Sequence, residues 1–444
     1  MPLSFNTRRE FLQTSLLGGA LSWTVPAFVL ETMNNLQAEA LNASTAISTG
    51  KDNPILIVIQ LAGGNDGLNT IVPYTNDFYF NARPTLKQDP KQILAINESI
   101  GFHPNLTGFQ KLYGAGNFAL VQGVGYPNPN RSHFRSTEIW HTGSDSNRNE
   151  KYGWIGKYFD HDCEGSDPTV GINIGQQAPQ AFTSVKPTGV TLTNPETYRF
   201  LNSDRNESSG NSTEKVFREL NQMSDLSENS DSNSGQTIQM IGGHSHREDS
   251  PVDFLERTSL DAQVSSDQIL NVAKKSKNLV DYPKNSFANE LKLISRLIAG
   301  GLPTRVYYTS QGGYDTHTNQ INSHNRLMQE LGDSLFAFCE DLKQQGNFNR
   351  VTILTFSEFG RRVSQNANGG TDHGAAAPLY VMGGGVKGGL YGKYPSLNPK
   401  DLHDGDLIHQ VDFREVYAGI LEKCLKVKSQ TILGREFTPL NLFS

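Results

Sequence analysis

Ile55-Leu56-Ile57-Val58-Ile59-Gln60-Leu61, running into Ala62-Gly63-Gly64-Asn65-Asp66-Gly67, is the stretch on which the fold class turns. It is apolar but for Gln60, and glycines stop it. A short run of this kind reads as a strand buried on both faces, which belongs inside a sheet covered on both sides. Phe118 to Val124 repeats the pattern and also ends in glycine, with Pro127 and Pro129 beyond. Arg305 to Ser310, Val351 to Phe356 and Leu379 to Met382 are further strands, and Thr169 to Ile174 and Gly189 to Thr193 are short ones. Helical spacing lies between them. A helix opens near Ser132 and continues through Ser136 to His141, and Asp253 to Val280 carries a second helical pattern. Ser286 to Ile298 places Phe287, Leu291 and Ile294 on one face, and His324 to Gln344 does the same with Leu327, Leu331, Leu335, Phe338 and Leu342. Phe413 to Leu425 closes the series. Strand and helix alternate, so the expected fold is α/β: a doubly wound, mostly parallel sheet with helices on both faces.

Five polar clusters stand in loops read as following these strands. They are Asn65-Asp66, Asn130-Arg131-Ser132-His133-Phe134-Arg135, Asp315-Thr316-His317, Ser357-Glu358-Phe359-Gly360-Arg361-Arg362, and Thr371-Asp372-His373-Gly374. Singly, each is also an ordinary turn or helix cap, and Arg361 and Arg362 read equally well as solvated charges. Jointly they say more, because strand carboxyl ends in a parallel sheet share one edge where loops converge on a site. Asp66, Asp315, His317, Glu358, Asp372 and His373 would then supply ligands for one divalent metal or two. Mixed carboxylate and imidazole donors suit Zn, Mn or Fe, and all-oxygen donors suit Mg or Ca. Ser132, at a helix start beside Arg131 and Arg135, is a candidate nucleophile or anion contact, and His133 is its rival at the same place.

The N-terminus reads as a targeting segment. Thr7-Arg8-Arg9-Glu10-Phe11-Leu12 has the twin-arginine pattern, Leu16 to Leu30 is mildly apolar, and Ala38-Glu39-Ala40 offers a small-x-small cleavage site. The apolar part is short of the ~20 residues a spanning helix needs. Residues 1–40 are therefore read as an export signal for the twin-arginine translocase, bound for the periplasm or the exterior. Residues 41–444 are read as a single α/β domain without a stable membrane span. Net charge is −6 with no large basic run, which argues against a nucleic-acid partner. Cys163, Cys339 and Cys424 fit no metal spacing and no disulfide framework, although one bridge remains open to them. Residues 202–250, rich in Ser, Asn, Asp and Gly, read as a polar, mobile insertion, and His244 and His246 within it as solvated.

The stretch Ile55 to Tyr74, with Leu61-Ala62-Gly63-Gly64-Asn65-Asp66-Gly67-Leu68-Asn69-Thr70-Ile71-Val72-Pro73-Tyr74 at its core, and then Val121 to Ser136, Gly312 to Gln320, Thr355 to Arg362 and Gly370 to Pro378 resemble, in order, the motifs of a bacterial family catalogued as domain of unknown function 1501. That family is similar to the alkaline phosphatase and sulfatase superfamily, so the resemblance implies an alkaline-phosphatase-like core with metal at the sheet edge. It implies that Asp66 is the first ligand, that Asp315 is a later one with His317 as partner, and that His373 is the last histidine. It places a nucleophile before Thr142-Gly143, where Ser132 is the nearest hydroxyl at one residue longer spacing. Phe359 stands where such proteins often carry a ligand histidine. The functional expectation is an exported metal-dependent hydrolase of phosphate or sulfate esters, with Arg131 and Arg135 on the substrate anion. The alternative is a non-catalytic, metal-stabilised envelope or polysaccharide-binding protein.

Overall fold

The computed structural model describes residues 53–163, 166–186, 188–196 and 265–443. The expected signal at 1–40, the polar stretch 202–250 and the first part of the pattern at 253–280 lie outside these. The strands and site loops belong to one compact unit, Thr49–Thr193 with Asn271–Ser444.

β1 (Ile55–Leu61) is buried at every position and pairs in parallel with two neighbours, as its apolar run requires. After it come α1 (Gly67–Thr70), β2 (Ile71–Val72), α2 (Asp77–Ala82), β3 (Leu94–Ala95), β4 (Gly101–Phe102), α3 (Thr107–Gly114) and β5 (Phe118–Gly125). Then follow α4 (His133–Thr142), α5 (Trp154–Asp162), β6 (Gly171–Ile174) and β7 (Val190–Leu192). The second half holds α6 (Ser286–Ala299), β8 (Val306–Gln311), α7 (Gln320–Gln344), β9 (Val351–Phe356), β10 (Ala377–Gly383), β11 (Gly389–Tyr391), β12 (Val411–Asp412), α8 (Phe413–Lys423) and α9 (Ser429–Leu433). Residues 265–275 are also helical, and 276–280 are not, so that pattern stops short of Val280.

The central sheet runs β11-β5-β10-β9-β1-β8-β6-β7, with β12 also on β5. All its ladders are parallel except those of β10, which runs against both β5 and β9. The mostly parallel expectation therefore holds, with one reversed strand near the middle. The reversal corrects one placement: Thr371 to Gly374 does not follow a strand but leads into β10. The carboxyl ends of β1, β5, β8 and β9 and the amino end of β10 thus share one sheet edge.

Alternation along the strands splits the core into two layers. Leu56, Val58, Val121, Tyr308, Leu354, Phe356 and Val381 face α4, α5 and α8, where Trp140 stacks on Phe413 at 4.3 Å and Trp154 on Tyr417 at 4.5 Å. α6 and α7 pack together, and α7 packs on α3. α7 begins four residues before the periodicity shows. Its first turn turns the polar Gln320 inward, so the apolar pattern starts only at His324 and Leu327. β2, β3 and β4 form a separate three-stranded sheet of two-residue strands, too short for an alternation signal. Cys163, Cys339 and Cys424 are buried and free.

Glu290 on α6 meets Thr309 of β8 through a hydrogen bond to its carboxylate. Burial pushes the Glu290 carboxyl up to about 7, against the opposing pull of that hydrogen bond. The folded value lies above the unfolded one of about 4.3, so this residue's contribution to stability is full below that pH and is lost as pH rises towards 7. Glu290→Gln is expected to gain in Tm over the wild type progressively between about pH 4 and pH 7, with the gain level above that. Thermal melts of both proteins across that range check it.

Candidate metal centre

The loop after β1 carries a backbone approach that only glycine permits. Gly63 has φ +120°, and a Cβ there would lie 2.4 Å from the Asp315 nitrogen. The Gly63 N–H donates to Glu358 Oε1 at 2.9 Å, so three strand-end loops meet at this residue. Ser357 locks the same junction. Its hydroxyl donates to the Leu61 carbonyl at 2.7 Å and accepts from the Asn65 N–H at 2.8 Å. Lead-in residue His373 forms an antiparallel bridge with Arg361.

Three imidazoles converge on Asp315. Its Oδ1 lies 3.0 Å from His317 Nε2 and 3.2 Å from His373 Nε2, and its Oδ2 lies 3.6 Å from His133 Nε2. The two nitrogens His317 Nε2 and His373 Nε2 are 2.9 Å apart. Ligating atoms of His133, Asp315 and His373 all fall within 4.8 Å of one another. Each ring is held from behind. His133 Nδ1 faces Glu358 Oε1 at 2.9 Å, His317 Nδ1 faces Asp372 Oδ1 at 3.2 Å, and His373 Nδ1 faces the Arg131 carbonyl at 2.8 Å. Phe359 packs on the rings of His133 and His373 at 4.8 and 4.5 Å, so the residue at the expected ligand position orients two ligands instead.

The proton positions follow from these partners. A carbonyl or carboxylate only accepts, so each Nδ1 carries a hydrogen, and a ring bearing that proton alone presents its Nε2 lone pair to the centre. Three lone pairs then meet a carboxylate that also only accepts. Such a donor set calls for a cation, and carboxylates or carbonyls anchoring the Nδ1 of each imidazole are the usual second layer of a metal site. A proton is the competing cation: the hydrogen bond to Glu358 raises the His133 pKa, with burial opposing and the charges of Glu358 and Asp315 adding to the rise. Burial works against the Asp315 carboxylate, but the hydrogen bond and the charge of Arg361 outweigh it and hold the group at about 2. Asp315 is 48 % exposed, so the centre opens to solvent.

The chain belongs to the DUF1501 family. The family, described as a protein of unknown function, matches residues 54–432. No curated protein matches the sequence. Similar solved structures include a protein in the alkaline phosphatase superfamily from Vibrio parahaemolyticus, at 9% identity and TM-score 0.37, covering 88% of this chain and 71% of that one. The PsFucS1 sulfatase from Pseudoalteromonas sp. is 11% identical at TM-score 0.33, covering 86% and 74%. The alkaline phosphatase from the Antarctic bacterium TAB5 is 11% identical at TM-score 0.32, covering 77% and 95%.

The structure sorts the residues singled out from sequence. Asp315, His317 and His373 meet, and His133 joins them as a fourth potential ligand. Glu358 and Asp372 stand one layer back, each on an Nδ1 of a ligand histidine. Asp66 is elsewhere: it is buried, its Oδ2 paired with Arg83 at 2.5 Å and bonded by Gln320 at 2.5 Å. Burial opposes the Asp66 charge, but Arg83 overrides it and lowers the pKa. Arg135 is spent on the carbonyls of Asp145, Ser146 and Arg148 and on Glu138 at 2.6 Å, so it is not placed to hold a substrate anion. Arg131 pairs with Asp406, its Nε donating at 2.7 Å. Ser132 is the exposed N-cap of α4, and its side chain makes no cap hydrogen bond. Arg361, read as solvated, is buried, with Nε on the Gly64 carbonyl at 2.7 Å, Nη1 on the Thr371 carbonyl at 2.7 Å, and Nη2 on Asp315 at 2.7 Å. Arg83 and Asp406 lie in segments that carried no motif. Nothing local distinguishes them from surface charges.

Gly63→Ala is expected to push the Asp315 backbone away, at a cost of about 1–3 kcal/mol from strain at that φ. The fold should be retained with a lowered Tm, as read by circular dichroism and thermal melts.

Proposed function

We propose that the protein is an exported, metal-dependent hydrolase of phosphate or sulfate esters. One observation carries this reading: the Nε2 atoms of three imidazoles, each ring anchored at Nδ1, converge on one carboxylate at a solvent-open sheet edge. A divalent metal, when bound, supplies Lewis acidity towards an ester oxygen and stabilises developing negative charge. The chain supplies the rest. His133, Asp315, His317 and His373 hold the ion, while Glu358, Asp372 and the Arg131 carbonyl fix the imidazoles. Ser132 offers a hydroxyl uncommitted to the helix, one residue from His133. The free N–H groups of the first turn of α4 favour an anion there. Positive charge comes from Arg131 and Arg362 rather than Arg135. The Arg131 carbonyl bonds His373, and the Arg362 N–H bonds the Asp372 carbonyl at 3.0 Å, so both arginines stand on the frame of the centre. They share Asp406, which neutralises only one of their two charges.

The second reading, a metal-stabilised envelope or polysaccharide-binding protein without turnover, is favoured by one feature. No side chain among the described residues is hydrogen-bonded to the Ser132 hydroxyl as a base, and every ligand Nδ1 is committed to anchoring.

Protein purified from its exported compartment, assayed on aryl phosphate and aryl sulfate esters, decides between them. The hydrolase reading expects metal-dependent turnover that falls at least a hundredfold in Asp315→Ala. Bound metal without turnover on any ester favours the binding protein, and absence of bound metal overturns both. Export rests on the Arg8-Arg9 pair and the apolar stretch after it. The double change Arg8→Lys with Arg9→Lys is expected to leave the precursor inside the cell, as seen by fractionation and immunoblot; unchanged export would overturn the twin-arginine route.

A further inference from the structure

We infer that the centre takes one ion per chain, of the borderline transition class, because two buried arginines stand where a second ion would need its ligands. The inference rests on the metal reading above and sharpens it to a stoichiometry and a metal class.

Two ions about 4 Å apart require carboxylates that bridge or face both. Five carboxylates, those of Asp315, Asp66, Glu358, Asp372 and Asp406, stand on the loops of this sheet edge, and fixed donors have claimed an oxygen of each. Asp315, the carboxylate at the convergence, receives Arg361 Nη2 on Oδ1 at 2.7 Å. That guanidinium cannot swing aside: its side chain is wholly buried, and its other donors hold the carbonyls of Gly63, Gly64, Tyr314 and Thr371. A second dication on Asp315 would sit against this fixed positive charge. Asp66 is the next nearest in sequence logic, and there Arg83 takes the place of an ion. Arg83 is itself buried and held by the carbonyls of Val363 and Arg362, each at 2.9 Å, and by Asn69 Oδ1 at 2.9 Å. The Asp66–Arg83 pair is neutral and closed. Glu358 spends Oε1 on the Gly63 N–H and His133 Nδ1, and Asp372 spends Oδ1 on His317 and Asn366. Asp406 is paired with Arg131. The buried oxygens Glu358 Oε2, Asp66 Oδ1 and Asp406 Oδ1 have no hydrogen-bond partner, each on a carboxylate already engaged through its other oxygen. Among the described residues, His133, Asp315 and His373 are the grouping of three ligating side chains that converge.

The donor set also selects the class of ion. Calcium takes six to eight oxygens and magnesium a nearly octahedral oxygen shell. Here Asp315 is the one carboxylate among four convergent side chains, and the other three offer nitrogen. Imidazole nitrogen with one carboxylate suits zinc, manganese or iron.

The test uses the full exported chain. Elemental analysis of the purified protein is expected to give one transition-metal equivalent per chain. The apoprotein, titrated calorimetrically with zinc or manganese salts in excess calcium and magnesium, should bind one equivalent. His317→Ala should weaken that binding more than tenfold, whereas Asp66→Asn should keep one equivalent at unchanged affinity. If Asp66→Asn fails to fold because Arg83 loses its partner, the wild-type stoichiometry decides alone. Two equivalents per chain, or displacement by calcium, would overturn this inference and leave the metal reading standing. No binding of any ion would overturn both.

Discussion

The buried guanidinium of Arg361 is the constraint on which the site depends. Loop carbonyls beyond a sheet edge have no ladder partner, and buried ones need a donor from elsewhere. Arg361 supplies it to the loops after β1 and β8 and to the segment before β10, and it lays an ion pair on Asp315 as well. A buried arginine stripped of Asp315 would be left an unpaired charge, which is far costlier than a lost surface bridge. The loops are therefore fixed relative to each other, and Asp315 is held ionised at the point where the imidazoles meet.

Packing on the far side of the sheet gives this frame its rigidity. α4 carries His133 at its first position, and Trp140 two turns later is clamped between Phe356 of β9 and Phe413 of α8. Ser136 on the same helix bonds the Glu358 carbonyl, so the helix and the loop after β9 move together. His133 and Glu358 are thus set by one rigid body rather than by a free loop. The antiparallel course of β10 completes the arrangement. Its amino end, rather than its carboxyl end, arrives at the site edge and delivers Asp372 and His373.

Strands β1 and β9 were legible to the residue, because a fully buried strand is a short apolar run ended by glycine or a polar loop. The candidate ligands were legible in kind, because carboxylates and histidines stood in loops beside those runs. Their ranks were not. Asp66 and Asp315 look alike as Asp residues in glycine-rich loops, yet one meets Arg83 and the other meets three imidazoles. Arg361 and Arg362 are adjacent, and one is buried while the other is half-exposed. His133 looked like a rival to Ser132 and instead joins the side chains that converge on Asp315. The direction of β10 was hidden too, since an apolar run reads the same both ways.

By itself the sequence determined the α/β alternation, the central strands, the residue types at the sheet edge and the signal-like N-terminus. These are local properties, carried by periodicity, turn residues and short motifs within a few residues of one another. Tertiary structure alone decided which of the five polar clusters converge on Asp315 and which support the converging side chains. The deciding contacts, such as Gly63 with Glu358 across 295 residues or Arg361 with Gly64 across 297, are hydrogen bonds between segments that share no local pattern. They exist only once the sheet has brought its edge together.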